Sequence, residues 1–290
     1  MATLRDIRRH IRSVRNIEQM TRAMQMVSAA KIRRAQVRVE RARPYALAMD
    51  EVARDVAKIG KEYKHPFIVP REEGTGLLIL VTSDRGRVGA LNVNTLRRAH
   101  AQMLREFGPR YQVVAIGRKA VQFANRMQLQ VVHHQLGLPD RVTPDELRPG
   151  VEAAVEAYLN GEVREVFLAF ARFRNLLSQI PTVRQLVPVL PAAEDEGPQT
   201  EGDYIYEPDA KDVLGRFMPE YLLSQVYQAV LENQASEHSA RMVAMRNAST
   251  KAGDVIKELS LTANKVRQAN ITRELMEIIG GAEALNSARR

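Results

Sequence analysis

The sequence predicts two long terminal helices that form an antiparallel coiled coil, with an α/β domain inserted between them. Both ends of the chain carry apolar residues at steps of three and four, with very few glycines or prolines. Between them, short apolar runs alternate with helical stretches, which is typical of βαβ units. We therefore expect a helical segment over residues 1–60, a globular domain over residues 75–205 and a second helical segment over residues 208–286.

The first helix is predicted over residues 3 to about 58. Pro44 should kink this helix without ending it, because helical composition resumes over residues 46–59. Gly60 is the predicted end. The apolar residues that step along its first half are Leu4, Ile7, Ile11, Val14, Ile17, Met20, Met24 and Val27.

The middle of the chain predicts a small Rossmann-like α/β domain. Strands separated by helices imply a mostly parallel sheet that is covered by helices. The predicted strands are residues 76–83, 111–117, 130–135, 163–173 and 183–190. The predicted helices are residues 93–107, 119–127 and 144–159. The acidic, turn-rich stretch 192–203 is predicted to be a surface loop.

The last helix has its strongest pattern between Pro219 and Ala284. Asp209 is a predicted cap or first-turn acid, Pro219 marks a start or a kink, and Gly280–Gly281 is read as a stop signal. A coiled-coil seam is predicted at Leu222, Val226, Val230, Ile256, Leu259, Ala263 and Val266. A row of small residues, expected to face a partner helix, comprises Ser236, Ala240, Ala244, Ala248 and Ala252.

The two long helices differ in length, and this difference predicts an unpaired tip. Both helices join the α/β domain at one end, and the last is longer by roughly 15 residues, so its end should project about 20 to 25 Å beyond the amino terminus. This tip, Lys265 to Ile279, is too apolar to lie in water and should need a sleeve supplied by another protein. Its apolar residues are Val266, Ile271, Leu275, Met276, Ile278 and Ile279.

Charge is concentrated in the first helix. The chain has a net charge of +9, and residues 1–43 contain twelve Lys or Arg against three acids. Single-stranded nucleic acid is one possible partner, but no aromatic residue precedes Tyr45 to stack on bases. Anionic lipid is a second, although the cations surround the helix. A solvated helix that faces acidic protein partners is the interpretation we favour.

Composition and motifs point away from catalysis. The chain has no cysteine, so we expect no disulfide and no thiolate chemistry. It opens without a signal-peptide pattern, and the apolar run Leu77–Val81 is far shorter than a membrane span. We expect no catalytic residue, no metal site and no cofactor.

Three features are candidates for chemistry despite that expectation. The turn over residues 82–92 could cradle a phosphate, but it lacks the spacing of a dinucleotide site, and the alternative is that Gly86 and Gly89 allow close helix–sheet packing. His133 and His134 should point to opposite faces of a strand and so not share a metal. His238 is expected to be solvated or to face a partner.

Three blocks of sequence resemble the gamma subunit of the rotary F-type ATP synthase. They are residues 13–34, residues 82–92, and the pair 235–249 with 264–285. The resemblance covers nearly the whole chain in order, and the last block is highly specific. Arg87–Val88 departs from the family pattern, and the regulatory cysteine insertion of the chloroplast members is missing, so thiol control is not expected.

The resemblance implies a rotating central stalk. In that family the coiled coil fills the bore of a hexamer of alternating alpha and beta subunits, and the α/β domain lies with the epsilon subunit on the ring of membrane c subunits. Proton flow turns the ring, and the asymmetric shaft drives each beta subunit through its states. The resemblance thus implies a non-catalytic subunit that is peripheral to the cytoplasmic face of the membrane through the c-ring and binds no nucleic acid.

The same resemblance assigns partner-binding residues. Arg267, Gln268 and Thr272 match positions that hydrogen-bond the catch loops of the catalytic subunits. Met24 matches a position near the acidic loop of beta, where an added positive charge should impair coupling. Two further residues, Tyr204 and Glu207, match positions near the c-ring loops and epsilon.

Other function classes remain open at this stage. A structural coiled coil or a basic nucleic-acid adaptor competes with the stalk, and an adaptor would lose nucleic-acid affinity steeply as salt rises. An enzyme built on the α/β domain is a weaker alternative, because no nucleophile–base pair can be named.

Overall fold

The computed structural model describes residues 3–59, 65–189 and 210–287. Two long helices, α1 (Leu4–Ile59) and α5 (Ala210–Ser287), flank a five-stranded mixed sheet and three shorter helices. The chain divides into two compact units. Residues 28–241 form the first, here called the core unit, and residues 1–27 with 242–290 form the second, the coiled-coil unit. The predicted fold class is confirmed.

The sheet has the strand order β3-β2-β1-β4-β5. The first four strands are parallel, and β5 pairs antiparallel with β4. The strands are β1 (Thr75–Val81), β2 (Gln112–Ile116), β3 (Gln130–Gln135), β4 (Val163–Phe173) and β5 (Gln179–Val187). The helices between them are α2 (Leu91–Phe107), α3 (Arg118–Arg126) and α4 (Pro144–Leu159). The sequence prediction misplaces only one strand, β5, which begins at Gln179, four residues before the predicted start at Val183.

The two faces of the sheet are covered by different helices. Alternate residues of a strand point to opposite faces. In β1, Leu77, Ile79 and Val81 therefore join the core with α1, α4 and α5, whereas Leu78 and Leu80 join the core with α2 and α3. All five side chains are at most 1% exposed, so both faces of this central strand are dry.

Within the core unit, α1 and α5 run antiparallel. The Tyr221 hydroxyl donates to Asp50 at 3.0 Å, and Gln225 Nε2 donates to the Ala46 carbonyl at 2.8 Å. Further along, Arg43 lies 3.6 Å from Glu232. Partner numbers on α1 fall as those on α5 rise, which defines the antiparallel register. Pro44 lies inside α1, so the prediction that the helix continues past it is confirmed.

The core part of α5 is buried on every side, which the sequence did not predict. Leu222, Val226 and Val230 are at most 2% exposed, as predicted for seam residues, but so are Gln225 and Leu231 on other faces. This stretch packs between α1, α4 and the sheet, and is therefore a core helix instead of one strand of a coiled coil.

Helix α5 lies within two residues of the predicted segment 208–286, but Pro219 does not start it and Gly280–Gly281 does not stop it. The helix begins at Ala210, before Pro219, and it continues through Gly280 and Gly281 to Ser287. Proline is tolerated once a flanking helix or sheet covers the disturbed turn, and two glycines weaken a helix without forcing an end. Asp209, the predicted cap, lies outside the described residues, as does the predicted surface loop 192–203.

The coiled-coil unit shows a seven-residue repeat. On α1, Ile7, Val14 and Thr21 are 6%, 9% and 8% exposed. On α5, Met245 and Ala252 are buried at the same spacing. This repeat is typical of a coiled-coil seam.

The seam is narrower than the sequence pattern suggested. Ile17, Met20 and Val27 on α1 are 48%, 54% and 57% exposed, although they follow the predicted apolar steps. The small residues on α5 do not all face the same neighbour, although the sequence pattern predicts that they do. Ala252 is buried in the coiled-coil unit, but Ser236 donates a hydrogen bond to the Ala171 carbonyl of β4 and so faces the sheet.

Candidate functional site: the exposed end of the C-terminal helix

The end of α5 has no cover among the described residues. Every side chain from Arg267 to Gly281 is exposed; we call this segment the helix tip. It is about 15 residues and therefore about 22 Å long. Its large apolar residues are Ile271, Leu275, Met276, Ile278 and Ile279, which are 50 to 68% exposed.

The register of the coiled-coil unit explains where the tip begins. A Cβ at Gly253 would lie 3.8 Å from the Glu18 carboxylate, so these two positions face each other. Counting in opposite directions from this pair places Leu4, the first residue of α1, opposite Arg267. The first residue of α1 therefore lies beside the first residue of the exposed tip. The predicted start of the unpaired tip, Lys265, is confirmed to within two residues.

The apolar face of the tip is not a continuation of the seam. Each helical residue turns about 100°. Met245, Ala252, Leu259 and Val266 recur every seven residues and mark the buried or half-buried face of α5. The stripe formed by Ile271, Leu275 and Ile278 lies about 130° around the helix from that face. A simple extension of α1 would therefore leave this stripe uncovered, and contacts from another direction are needed to bury it.

The structure brings three of the predicted site residues together. Arg267, Gln268 and Thr272 are all exposed on the tip. Arg267 and Gln268 flank the apolar stripe, each about 50° from its centre, and Thr272 lies about 90° from it on the side of Gln268. The tip thus offers hydrogen-bonding groups beside an apolar surface.

The other predicted site residues lie elsewhere. Met24 is half-buried on α1. The exposed side chains of Ile17, Met20 and Val27 are on neighbouring helical positions and form an apolar stripe beside the seam, which the sequence reading missed. The sequence feature that could have revealed this stripe is the seven-residue spacing of Ile7, Val14 and Thr21. Apolar residues that do not follow this spacing lie outside the buried seam. Tyr204 and Glu207 lie outside the described residues.

The β1–α2 turn, the candidate phosphate cradle, is occupied by the chain's own side chains. The carboxylate of Asp84 accepts from the Arg118 backbone N–H at 2.8 Å and from the Gly137 N–H at 2.9 Å. Asn92 Oδ1 accepts from the Ser83 N–H at 3.2 Å. An anion at the start of α3 would have to displace Asp84. This arrangement favours a structural turn over a nucleotide site.

The reason for the turn's glycines differs from the one predicted. A Cβ on Gly86 or Gly89 would meet nothing within 4 Å, so neither glycine is required for close helix–sheet packing. Gly89 has φ 57° and Arg87 has φ 63°, which places both in the left-handed region. Glycine at position 89 therefore serves the backbone conformation of the turn.

The prediction for His238 was wrong. Its side chain is 6% exposed and lies 3.9 Å from Asp140. Burial lowers the pKa of His238 to about 4, so the imidazole is neutral near pH 7. The flanking charges that suggested a solvated face, Glu237 and Arg241, pair with each other at 2.5 Å.

Neither a metal cluster nor a membrane helix is present in the part of the chain that the structure describes. No group of three His, Cys, Asp or Glu side chains is placed to hold a metal ion there. The rings of His133 and His134 are 6.5 Å apart. Across residues 3–59, 65–189 and 210–287, no helix has the length and apolar character to cross a bilayer.

Comparison with known proteins identifies the family. The sequence model described as ATP synthase matches residues 3–285. A protein of Cupriavidus metallidurans named ATP synthase gamma chain is 45% identical over 291 residues, which cover 98% of this chain and 100% of that protein. The chain belongs to the ATP synthase gamma chain family. A gamma chain of Nitrosomonas eutropha is 42% identical over 294 residues and is likewise covered in full.

Solved structures have the same fold as this family member. A chain of the Euglena gracilis mitochondrial ATP synthase OSCP/F1/c-ring structure matches with a TM-score of 0.68 at 21% identity, covering 99% of this chain and 96% of that one. A chain of the rotor from the same organism matches with a TM-score of 0.66 at 22% identity, covering 92% and 98%. At this level of identity the match supports the fold alone.

Proposed function

We propose that this chain is the central rotary stalk of an F-type ATP synthase. In this role it transmits torque between a proton-driven c-ring and a catalytic hexamer of alpha and beta subunits, and so couples proton translocation to ATP synthesis or hydrolysis. Membership of the gamma chain family supports the proposal. The observation in the structure that supports it most is the amphipathic tip of α5, whose exposed apolar side chains favour a surrounding protein.

The geometry of the tip fits a shaft within a sleeve. Its apolar stripe would lose water on entering a bore lined by apolar residues. Arg273 and Glu277 lie on the other side of the helix, so the tip presents different chemistry in different directions. A shaft must be asymmetric in this way, because a partner conformation is favoured only by contacts that differ between conformations.

The proposed partner-binding residues are those that the family resemblance implies. Arg267, Gln268 and Thr272 would hydrogen-bond the loops of the catalytic subunits that surround the tip. Met24, beside an exposed apolar stripe on α1, would face the acidic loop of beta. Tyr204 and Glu207 would contact epsilon and the c-ring.

Two further aspects belong to the same proposal. The chain would be non-catalytic by itself and would need no cofactor, while being required for the activity of the complex. It would lie at the cytoplasmic face of the membrane, peripheral to it through the c-ring.

The test is reconstitution with purified alpha and beta subunits, followed by size exclusion and an ATP hydrolysis assay on the peak. We expect a stable complex with gamma-dependent hydrolysis. Replacing two tip residues, Arg267→Ala with Gln268→Ala, should weaken assembly or turnover by about tenfold or more, since each charged or polar hydrogen bond contributes about 1 to 3 kcal/mol. The change should leave the unfolding midpoint of the isolated chain unaltered.

A matched control uses the opposite side of the same tip. Arg273→Ala with Glu277→Ala also removes two exposed polar side chains, but away from the apolar stripe, and should retain most activity. If the Arg267/Gln268 variant hydrolyses ATP and assembles as well as the wild type, these residues do not bind the catalytic subunits. If the wild-type chain fails to join a competent alpha–beta ring, the stalk proposal itself is wrong.

A further inference from the structure

A cavity of about 520 Å³ lies within the core unit, away from the helix tip. Its walls come from α1, from the β4–β5 hairpin and from α5. This volume is in the range of sites that bind small molecules. Nothing in the stalk function described above uses this cavity.

The pairing of β4 with β5 places positive charge along one wall. Arg172 is opposite Ile180, and Leu168 is opposite Arg184, so Ile180 and Arg184 lie on the same face of β5. Arg172 lies within the pairing, and Arg174, two residues further along the chain, extends this wall beyond its end. With Arg43 from α1, four guanidinium groups line the cavity.

Two of these guanidinium groups have no acidic partner within the part of the chain that the structure describes. Arg43 lies 3.6 Å from Glu232 and Arg184 lies 4.0 Å from Asp50, so each has an acid nearby. Among the described residues, neither Arg172 nor Arg174 lies within 4 Å of a carboxylate. Both are exposed, and the cavity therefore carries two positive charges that no side chain described by the structure neutralises.

A second, independent feature is a buried amide with an unused acceptor. Gln228 lines the cavity and is 8% exposed. Its Nε2 donates to Glu232 Oε1 at 3.1 Å, while its Oε1 has no hydrogen-bond partner. Buried acceptors are rarely left unpaired, so this atom points to a donor that none of the described residues supplies.

The rest of the lining is suited to a carbon skeleton. Leu47 is 62% exposed at the cavity, and Phe173 is half-buried beside it. Glu232 is fixed at the base, because its Oε2 accepts from the Phe173 backbone N–H at 3.2 Å. The cavity thus combines two adjacent arginines that no described carboxylate neutralises, an amide acceptor and apolar side chains.

We propose that this cavity binds a small organic phosphate. The planar guanidinium fork matches the oxygens of a phosphate group, and Arg172 and Arg174 would hold it. A hydroxyl or N–H of the organic part would donate to Gln228 Oε1 after a rotation of that side chain, because the atom is covered in this structure, and the carbon skeleton would contact Leu47 and Phe173. The proposal does not depend on the stalk function.

Calorimetric titration of the full chain at about 0.1 M salt tests this site. The probes are glucose 6-phosphate, adenosine monophosphate and inorganic phosphate. We expect saturable 1:1 binding of at least one organic phosphate, more tightly than inorganic phosphate. The variant R172Q/R174Q should weaken that binding by about tenfold or more.

The matched control removes two exposed arginines of α2, in the variant R97Q/R98Q, and should bind as the wild type does. Equal losses in both double variants would mean that net charge alone attracts the probes, and the site would be refuted. The absence of saturable binding up to about 5 mM would also refute it. Equal affinity for inorganic and organic phosphate would contradict the assigned roles of Gln228, Leu47 and Phe173.

Discussion

His238 is a buried histidine surrounded by charged groups from three parts of the core unit. Asp140 comes from the loop before α4, Lys31 and Arg38 from α1, and Arg241 from its own helix. Lys31 bonds Asp140 at 2.6 Å, and this hydrogen bond is the main reason that the pKa of Asp140 is lowered. Burial is the main cause that lowers the pKa of His238, and Asp140 only partly offsets it.

The buried histidine makes the stability of the core unit depend on pH. The folded-state pKa of His238 is about 4, below an unfolded value of about 6.5. Below pH 6.5 the unfolded chain binds a proton that the folded chain does not, so the free energy of unfolding falls as pH decreases towards 4. The contribution is fully present above pH 6.5, and about 2 kcal/mol of it should be lost by pH 5.

Denaturant unfolding of the wild type and of His238→Gln between pH 7.5 and 5 measures this effect. The variant should lose less stability than the wild type over that range, by an amount of up to about 2 kcal/mol. His10→Gln, which replaces an exposed histidine of α1, serves as the control and should follow the wild type. Parallel curves for wild type and His238→Gln would contradict the buried, neutral histidine.

At the scale of elements, the junction between β2 and α3 depends on one glycine. Gly117 has φ 93°, and a Cβ there would lie 2.2 Å from the Thr82 carbonyl oxygen. Its N–H donates to the Gln135 carbonyl at 2.8 Å, so the backbone is held between two strands. The substitution Gly117→Ala combines a backbone conformation unfavourable to alanine with a clash that neither main chain can relieve.

We expect Gly117→Ala to destabilise the chain by about 3 kcal/mol or more. Thermal or denaturant unfolding measures the change. Gly86→Ala is the matched control, since a Cβ at Gly86 meets nothing within 4 Å, and it should have little effect. A Gly117→Ala variant as stable as the Gly86→Ala variant would show that the junction is not as tightly packed as described here.

Helix α5 shows why an element's surroundings are harder to predict than its existence. Its period of three and four identified a helix throughout, but the same pattern serves a core helix around Val226 and a coiled-coil strand around Ala252. Which of these applies depends on how many neighbours surround the helix, and those neighbours come from distant parts of the chain. Periodicity alone therefore could not separate them.

At the scale of the whole molecule, local pattern and chain length determined most of what could be predicted. The strands and helices of the core unit follow from apolar runs and their spacing. The tip follows from the unequal lengths of α1 and α5. The two helices pair as far as Leu4, the first residue of α1, and α5 continues unpaired beyond that point. These inferences need no knowledge of side-chain contacts.

The cavity and the burial of His238 could not be predicted in this way. The cavity joins Arg43, Arg172 and Gln228, which are far apart in sequence and meet because α1 and α5 pack beside the β4–β5 hairpin. The environment of His238 depends on the Glu237–Arg241 pair, whose two charges look solvated in the sequence but bond to each other. Both features arise from tertiary packing.

The central claim is that this chain rotates within a catalytic ring, and single-molecule observation tests it most directly. The chain contains no cysteine, so Arg126→Cys on the exposed face of α3 gives one attachment point for an optical probe. The alpha–beta ring would be fixed to a surface and supplied with ATP. We predict unidirectional rotation of the probe that stops when ATP is withdrawn. A complex that hydrolyses ATP while the probe only fluctuates in place would contradict the claim.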